Sequence, residues 1–140
     1  MFLPTDDALR ALLGSAQTIA IIGAKDVPGQ DVDRVGRYLI EAGYRVLPVH
    51  PKRKQVWERQ VYPSITMVDS CDIVVLFRAP QYCPGHAQEV LAMKNRPSCF
   101  WMQEGISSPE ARTLLQDKGI AVVEDRCIMV EHRRLLQSAS

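Results

Sequence analysis

Neither sign of charge prevails in this 140-residue sequence: 17 Lys and Arg stand against 16 Asp and Glu, a formal net charge of +1. The balance holds along the chain, with nine basic and eight acidic residues in positions 1–70 and eight of each in the remainder. A protein that grips DNA or RNA through its phosphates needs a surplus of cations to displace counterions, so no nucleic-acid partner is expected. Long apolar runs are missing too. No stretch approaches the ~20 residues of a membrane span, and Asp6, Asp7 and Arg10 interrupt the N-terminal MFLPTDDALRALLG, which has no signal-peptide core. No membrane partner is expected, and the whole chain is read as the mature one. The cysteines, Cys71, Cys83, Cys99 and Cys127, include no CxxC pair and lie too far apart for a disulfide scaffold or a zinc knuckle. Reduced thiols in a cytoplasmic protein are the expectation. HExxH and GxSxG are absent, and His50, His86 and His132 lie on three separate segments, so no metal ligand and no catalytic residue is assigned.

What is present is an ordinary globular composition, 46% hydrophobic and 24% charged, at a length expected to form one domain over residues 1–140. Five strand-length apolar runs recur: Thr18–Ile22, Tyr44–Val49, Asp72–Phe77, Ser98–Met102 and Ile120–Val123. They are nearly continuous in Val, Ile, Leu and Phe, which implies burial on both faces, as in a parallel sheet covered by helices. Between them, Asp31–Glu41 has helical spacing and stops at Gly43, Ala87–Lys94 behaves similarly, and Pro109–Lys118 opens on Ser108-Pro109-Glu110 and stops at Gly119. A leading helix within residues 1–16, over Thr5–Leu13 with Thr5 as its cap, and a short closing one over Met129–Leu136 complete the pattern. The architecture predicted is α/β: three layers around a doubly wound sheet of about five mainly parallel strands. In such sheets ligands bind outside the carboxyl ends of the strands.

The first run ends in Gly23-Ala24-Lys25-Asp26, followed by a loop and a helix from Asp31. A strand, a glycine and a helix N-terminus make an anion site from backbone N–H groups and the positive end of the helix dipole. A dinucleotide GxGxxG would need glycine at Lys25 and Pro28, so Gly23 reads either as part of a phosphate loop or as a tight turn. The second run ends in His50-Pro51-Lys52-Arg53-Lys54, where an NAD site would carry a carboxylate for the ribose hydroxyl. This reversed charge is either a solvated basic turn or a seat for a ligand with an extra ribose phosphate, such as NADP or coenzyme A. The remaining runs end in Phe77-Arg78-Ala79-Pro80, Gln103-Glu104-Gly105 and Glu124-Asp125-Arg126-Cys127, and Arg34 lies in the first turn of the helix after Gly23. Cys127 reads as a thiol made acidic by Arg126 or as a packing residue. With little surface to enclose a substrate, a binding module is more economical than an enzyme.

The motifs Thr18-Ile19-Ala20-Ile21-Ile22-Gly23, Arg34-Val35, Tyr38-Leu39, Gly43-Tyr44-Arg45-Val46, His50-Pro51, Tyr62-Pro63-Ser64 and Asp72-Ile73-Val74 leading to Phe77-Arg78 form one pattern. To them are added Trp101-Met102-Gln103-Glu104-Gly105-Ile106, against W-L-Q-x-G-I, and Asp125-Arg126-Cys127-Ile128-Met129-Val130-Glu131-His132, against D-R-C-I-x-V-E-H. From Thr18 to Leu135 the chain resembles the small bacterial and archaeal CoA-binding proteins, whose Rossmann-like domain is similar to the N-terminal domain of the succinyl-CoA synthetase alpha subunit. The resemblance implies coenzyme A or an acyl-CoA as ligand, its adenosine diphosphate part lying over the strand ends. The expected contacts are Gly23, Ala24, Lys25, Arg34, His50, Pro51, Lys52, Phe77, Arg78, Gln103 and Gly105. The sequence departs from the family at Lys25 and Val32, where serines are frequent, at His50, where Asn is usual, and at Glu58, where glycine is common. The synthetase works through a phosphohistidine supplied with a further domain. Here Pro84-Gly85-His86-Ala87 is read as the start of a helix with a surface histidine and no catalytic role. The function expected is non-catalytic CoA binding; the alternatives are an NADP-dependent oxidoreductase and a nucleotide-sensing regulatory subunit. A protein partner or a homo-oligomer is compatible with each.

Overall fold

The computed structural model describes residues 4–137. In chain order its strands are β1 (Thr18–Ile22), β2 (Arg45–Val49), β3 (Gln55–Val56), β4 (Arg59–Gln60), β5 (Ile73–Leu76), β6 (Cys99–Met102) and β7 (Ala121–Val123). The helices are α1 (Asp6–Ser15), α2 (Asp31–Glu41), α3 (Cys83–Leu91), α4 (Pro109–Leu115) and α5 (Ile128–His132). Five strands form one parallel sheet in the order β2-β1-β5-β6-β7. Every apolar run became one of them, trimmed by no more than one residue at either end.

Alternate side chains of each strand enter separate cores. Ile19 and Ile21 pack with Leu9, Leu13, Val35, Leu39 and Ile128, on the face covered by α1, α2 and α5. Ala20 and Ile22 pack with Ala87, Val90, Ala111 and Leu115, on the face covered by α3 and α4. The fold is therefore the three-layer, doubly wound α/β architecture expected. Because β1 continues into α2 on one face and β5 into α3 on the other, the two central strands part at their carboxyl ends. That topological switch point opens a crevice there.

Helix boundaries differ from expectation for local reasons. Thr5 caps α1 as expected, its Oγ1 accepting the Ala8 N–H at 3.1 Å; residues 1–3 of the leading segment lie outside the described residues. Ser108 Oγ caps α4 through the Ala111 N–H at 3.1 Å. α3 starts at Cys83, four residues before the predicted Ala87, because a 3-10 turn at Pro80–Tyr82 feeds directly into it and Pro84 is tolerated in a first turn. It stops at Leu91, whose carbonyl accepts from the Arg96 guanidinium. The closing helix starts one residue early, at Ile128, and after His132 widens into a π-type turn over Arg133–Gln137.

The hairpin of β3 and β4 was not foreseen. Its two connecting residues, Trp57 and Glu58, have φ of +52° and +60°, the pattern of a type I′ turn. Trp57 is held there by its indole, 4% exposed, whose Nε1 donates to Asp33 Oδ1 on α2 at 2.9 Å. Glu58 is exposed, and among the described residues no hydrogen bond or ion pair offsets its left-handed backbone. Replacing Glu58 by glycine should therefore stabilise the chain by roughly 0.5–1 kcal/mol, since the relief of ~1–2 kcal/mol of backbone strain is partly offset by the greater freedom of the unfolded glycine. The check is a thermal midpoint raised by about 2–4 °C; an unchanged or lowered midpoint would show that the turn is not strained.

Candidate functional site

Two hollows lie along the carboxyl edge of the sheet. The first, of about 490 Å³, is lined from β1 by Ile22 and Gly23, from the following loop by Lys25 and from the start of α2 by Gln30, Asp31 and Val32. Val49, His50 and Pro51 at the end of β2, Phe77 and Arg78 after β5, and His86 and Glu89 on α3 complete its walls, with Ser64, Ile65 and Ile106 beneath. The second, of about 520 Å³, shares Asp31, Phe77 and Ile106 with the first and extends past Arg34, Gln103, Gly105 and Cys127. Together they make a long cleft over the switch point. Of the residues expected to contact a ligand, Gly23, Lys25, His50, Pro51, Phe77 and Arg78 line the first hollow, and Arg34, Phe77, Gln103 and Gly105 the second. Ala24 and Lys52 line neither. Ala24 is fully buried, and Lys52 stands on the exposed outer side of its turn.

The backbone amides expected to cradle phosphate are already engaged. Gly23 N–H and Ala24 N–H both donate to Val49 O, at 3.0 and 3.2 Å, extending the β1–β2 ladder past its last paired residues. The Gly105 N–H donates to Asp125 Oδ1 at 2.6 Å. The Gln103 amide is buried, with Oε1 accepting the Ile128 N–H at 2.9 Å. These groups lock loops rather than offer donors. The free donors lie elsewhere: no side chain caps α2, so its first-turn N–H groups are without intrahelical partners at the cleft floor.

Cationic side chains converge on the end of β2. His50 Nδ1 accepts the backbone N–H groups of Lys52 at 3.0 Å and Arg53 at 3.2 Å. It thereby does for this turn what the oxygen of an Asn side chain does, which accounts for a histidine at that position. Burial, and then the charges of Arg53, Lys25, Arg78 and Lys52, hold the His50 imidazole below its ordinary pKa. Arg53 is tied to Asp26 at 3.4 Å and Arg34 is paired with Asp31. Among the described residues Lys25 has no such tie. The Arg78 guanidinium lies 4.3 Å over the Tyr82 ring, and its Nε is buried without a hydrogen-bond partner.

Sequence reasoning missed Gln30, Ser64, His86, Glu89 and Ile106 in the cleft lining. His86, expected on the surface, has a side chain only 19% exposed. A start of α3 at Cys83 would have signalled it, because that puts His86 in the first turn beside the strand ends. The cysteines are free, and burial pushes the thiol of Cys71 up to about 12, that of Cys83 to about 11, and that of Cys99 upward as well. Among the described residues no group of three or more His, Cys, Asp or Glu could hold a metal ion, and no helix is long and apolar enough to cross a membrane.

Sheet order and the switch-point cleft define a Rossmann-like α/β domain. The comparisons agree in fold. A hypothetical protein from Pyrococcus horikoshii OT3 is 33% identical and superposes with a TM-score of 0.89 over 94% of this chain and 92% of its own. The cell-free ID.343 protein of Thermus thermophilus is 41% identical, with a TM-score of 0.87 over 94% of this chain and 99% of its own. The uncharacterized protein YneT of Bacillus subtilis (strain 168) is 32% identical over 130 residues, 92% of this chain and 95% of that protein. Residues 17–133 match the CoA binding domain family, and the chain belongs to it. The residues present fit such a group: a buried unpartnered Arg78 Nε, a free Lys25 ammonium and an uncapped α2 face one cleft with an apolar floor.

Proposed function

We propose that the chain binds coenzyme A or an acyl-CoA through the adenosine diphosphate part and performs no reaction of its own. The observation that carries this reading is the set of cations around His50, reaching a cleft that also meets the open N-terminus of α2. Bound there, CoA would supply a thiol or thioester as a group carrier. Lys25 and Arg78 would hold phosphoryl oxygens by charge-assisted hydrogen bonds. The first-turn N–H groups of α2 would add fixed donors, with Asp31 kept from the phosphate by its pairing with Arg34. The turn that His50 shapes would carry Lys52 to the ribose 3′-phosphate. Val32 supplies no hydroxyl, so Lys25 carries the load that serines share elsewhere in the family. Phe77 and Pro51 would give apolar contact to the adenosine.

Thermal unfolding with CoA, dephospho-CoA and NADP+ tests the proposal. CoA at a hundredfold excess over its Kd should stabilise the fold by about 2.7 kcal/mol, a shift of several degrees. Dephospho-CoA should shift the midpoint less. No shift with CoA would overturn the proposal, and equal shifts from the two forms would remove Lys52 from 3′-phosphate recognition. A larger shift with NADP+, accompanied by NADPH-dependent reduction of a carbonyl substrate, would establish the oxidoreductase alternative instead.

A further inference from the structure

The cleft contains a side-chain pair that the binding reading leaves unused. His86 and Glu89, one turn apart on α3, both line the first hollow. His86 Nδ1 lies 2.7 Å from Glu89 Oε1, and Glu89 Oε2 accepts from Ser64 Oγ at 3.5 Å. A carboxylate oxygen only accepts, so the ring proton sits on Nδ1 and the ring orientation is fixed. Nε2, across the ring, is buried and makes no hydrogen bond. Arg78 Nε, in the same lining, is in the same condition, and these are the only two buried side-chain polar atoms without a partner among the described residues. Buried nitrogens in native proteins nearly always have partners, and exceptions that converge on one cleft point to a ligand.

The same two side chains also line a shallower hollow of about 280 Å³ beside Tyr82 and Gly85. The cleft thus continues over the start of α3, on the sheet face opposite α2. A long, multiply charged ligand meets cations from both faces.

We infer that His86 is a proton-linked anion contact: Glu89 holds its Nδ1–H, and on binding Nε2 takes up a proton and, with Arg78 Nε, grips a phosphoryl oxygen of the bound nucleotide. This rests on the binding reading above and adds a residue to it. The neutral ring would aim a lone pair at the phosphoryl oxygen, so binding draws a proton from water. The charged and titratable groups in the same lining are Glu89 of α3, Arg78 after β5, Lys25 after β1, Asp31 of α2 and His50 after β2, with the Ser64 hydroxyl on the far side of Glu89. Glu89 is a positioning residue, acting through His86.

Calorimetric titration of the full chain with CoA, in PIPES and in Tris at one pH, measures affinity and protons taken up together, because the two buffers release protons with different heats. Wild-type protein should take up a measurable fraction of a proton per CoA bound. His86→Gln should bind about tenfold more weakly, the usual effect of losing a hydrogen bond to a charged group, with less proton uptake. Glu89→Gln should lose less affinity and also reduce uptake. The thermal midpoints of the ligand-free variants report whether each still folds. CoA binding to His86→Gln with wild-type affinity and uptake would overturn this inference alone. An absence of binding by the wild-type chain would overturn it together with the reading on which it rests.

Discussion

Replacing Gly23 by alanine should destabilise the chain by roughly 2–5 kcal/mol and strip the CoA-induced thermal shift. A Cβ on Gly23 would stand 2.4 Å from the carbonyl oxygen of Phe77 and 3.2 Å from its carbonyl carbon. Both are backbone atoms, so no side-chain rotation relieves the contact. The residue also has φ of +88°, which costs an L side chain ~1–2 kcal/mol, and overpacking at the contact adds ~1–3 kcal/mol. The close approach follows from topology. β1 and β5 are neighbours, with Ile22 opposite Leu76, and the Phe77 N–H still donates to Ile22 O at 2.9 Å just before the chains diverge. Forcing them apart moves Lys25 and Arg78, which leave these two strands toward the same cleft. Urea unfolding gives the stability, and the thermal shift with CoA gives the binding. A loss of less than 1 kcal/mol with the shift intact would show that the switch point yields easily.

The glycine itself was visible in the sequence, but its reason was not. The sequence leaves Gly23 either as part of a phosphate loop or as a tight turn; in the structure its amide pairs with Val49 O and its missing side chain makes room for Phe77 O. Hydrogen-bond partners across a sheet depend on register, which apolar runs do not disclose. The same holds for Gly105 and Gln103, whose polar groups serve Asp125 and Ile128. The five sheet strands were legible because burial on both faces leaves uninterrupted apolar runs. Two-residue strands such as β3 and β4 leave none, and what holds them is remote in sequence: Asp33 receives the Trp57 indole N–H, and Asp26 the Trp57 backbone N–H at 3.3 Å. The basic turn was legible as charge, but not the use of His50 Nδ1 as acceptor for two amides, which is a matter of side-chain rotation. His86 was lost through a helix placed four residues late, which hid the turn that carries it to the cleft.

One trace of the hairpin does stand in the sequence, a glycine in the interior of a helix. Gly36 costs α2 about 1 kcal/mol relative to alanine, and a Cβ there would lie 2.2 Å from both Cζ2 and Cη2 of Trp57. The two residues are expected to be coupled with a change of sign. In the wild-type background Gly36→Ala should destabilise by roughly 2–3 kcal/mol, because the indole is clamped by Asp33 and cannot retreat without forced packing. Trp57→Ala should cost ~3–5 kcal/mol through the lost aromatic burial, and it leaves the buried Asp33 with the Arg37 guanidinium, at 3.0 Å, as its remaining side-chain partner. With the indole gone, Gly36→Ala should turn stabilising by about 1 kcal/mol, since alanine is the better helix former and the space is open. The coupling between the two sites is then about 3–4 kcal/mol, well above the ~0.5 kcal/mol of independent positions. Urea unfolding of both single variants and the double variant measures it, with Trp57→Leu in place of Trp57→Ala should the latter not fold. Equal effects of Gly36→Ala in both backgrounds would mean that the indole does not press on α2. The hairpin would then not be anchored through this contact, and the turn bearing His50, Lys52 and Arg53 would lose the support that Asp26 and Asp33 lend it.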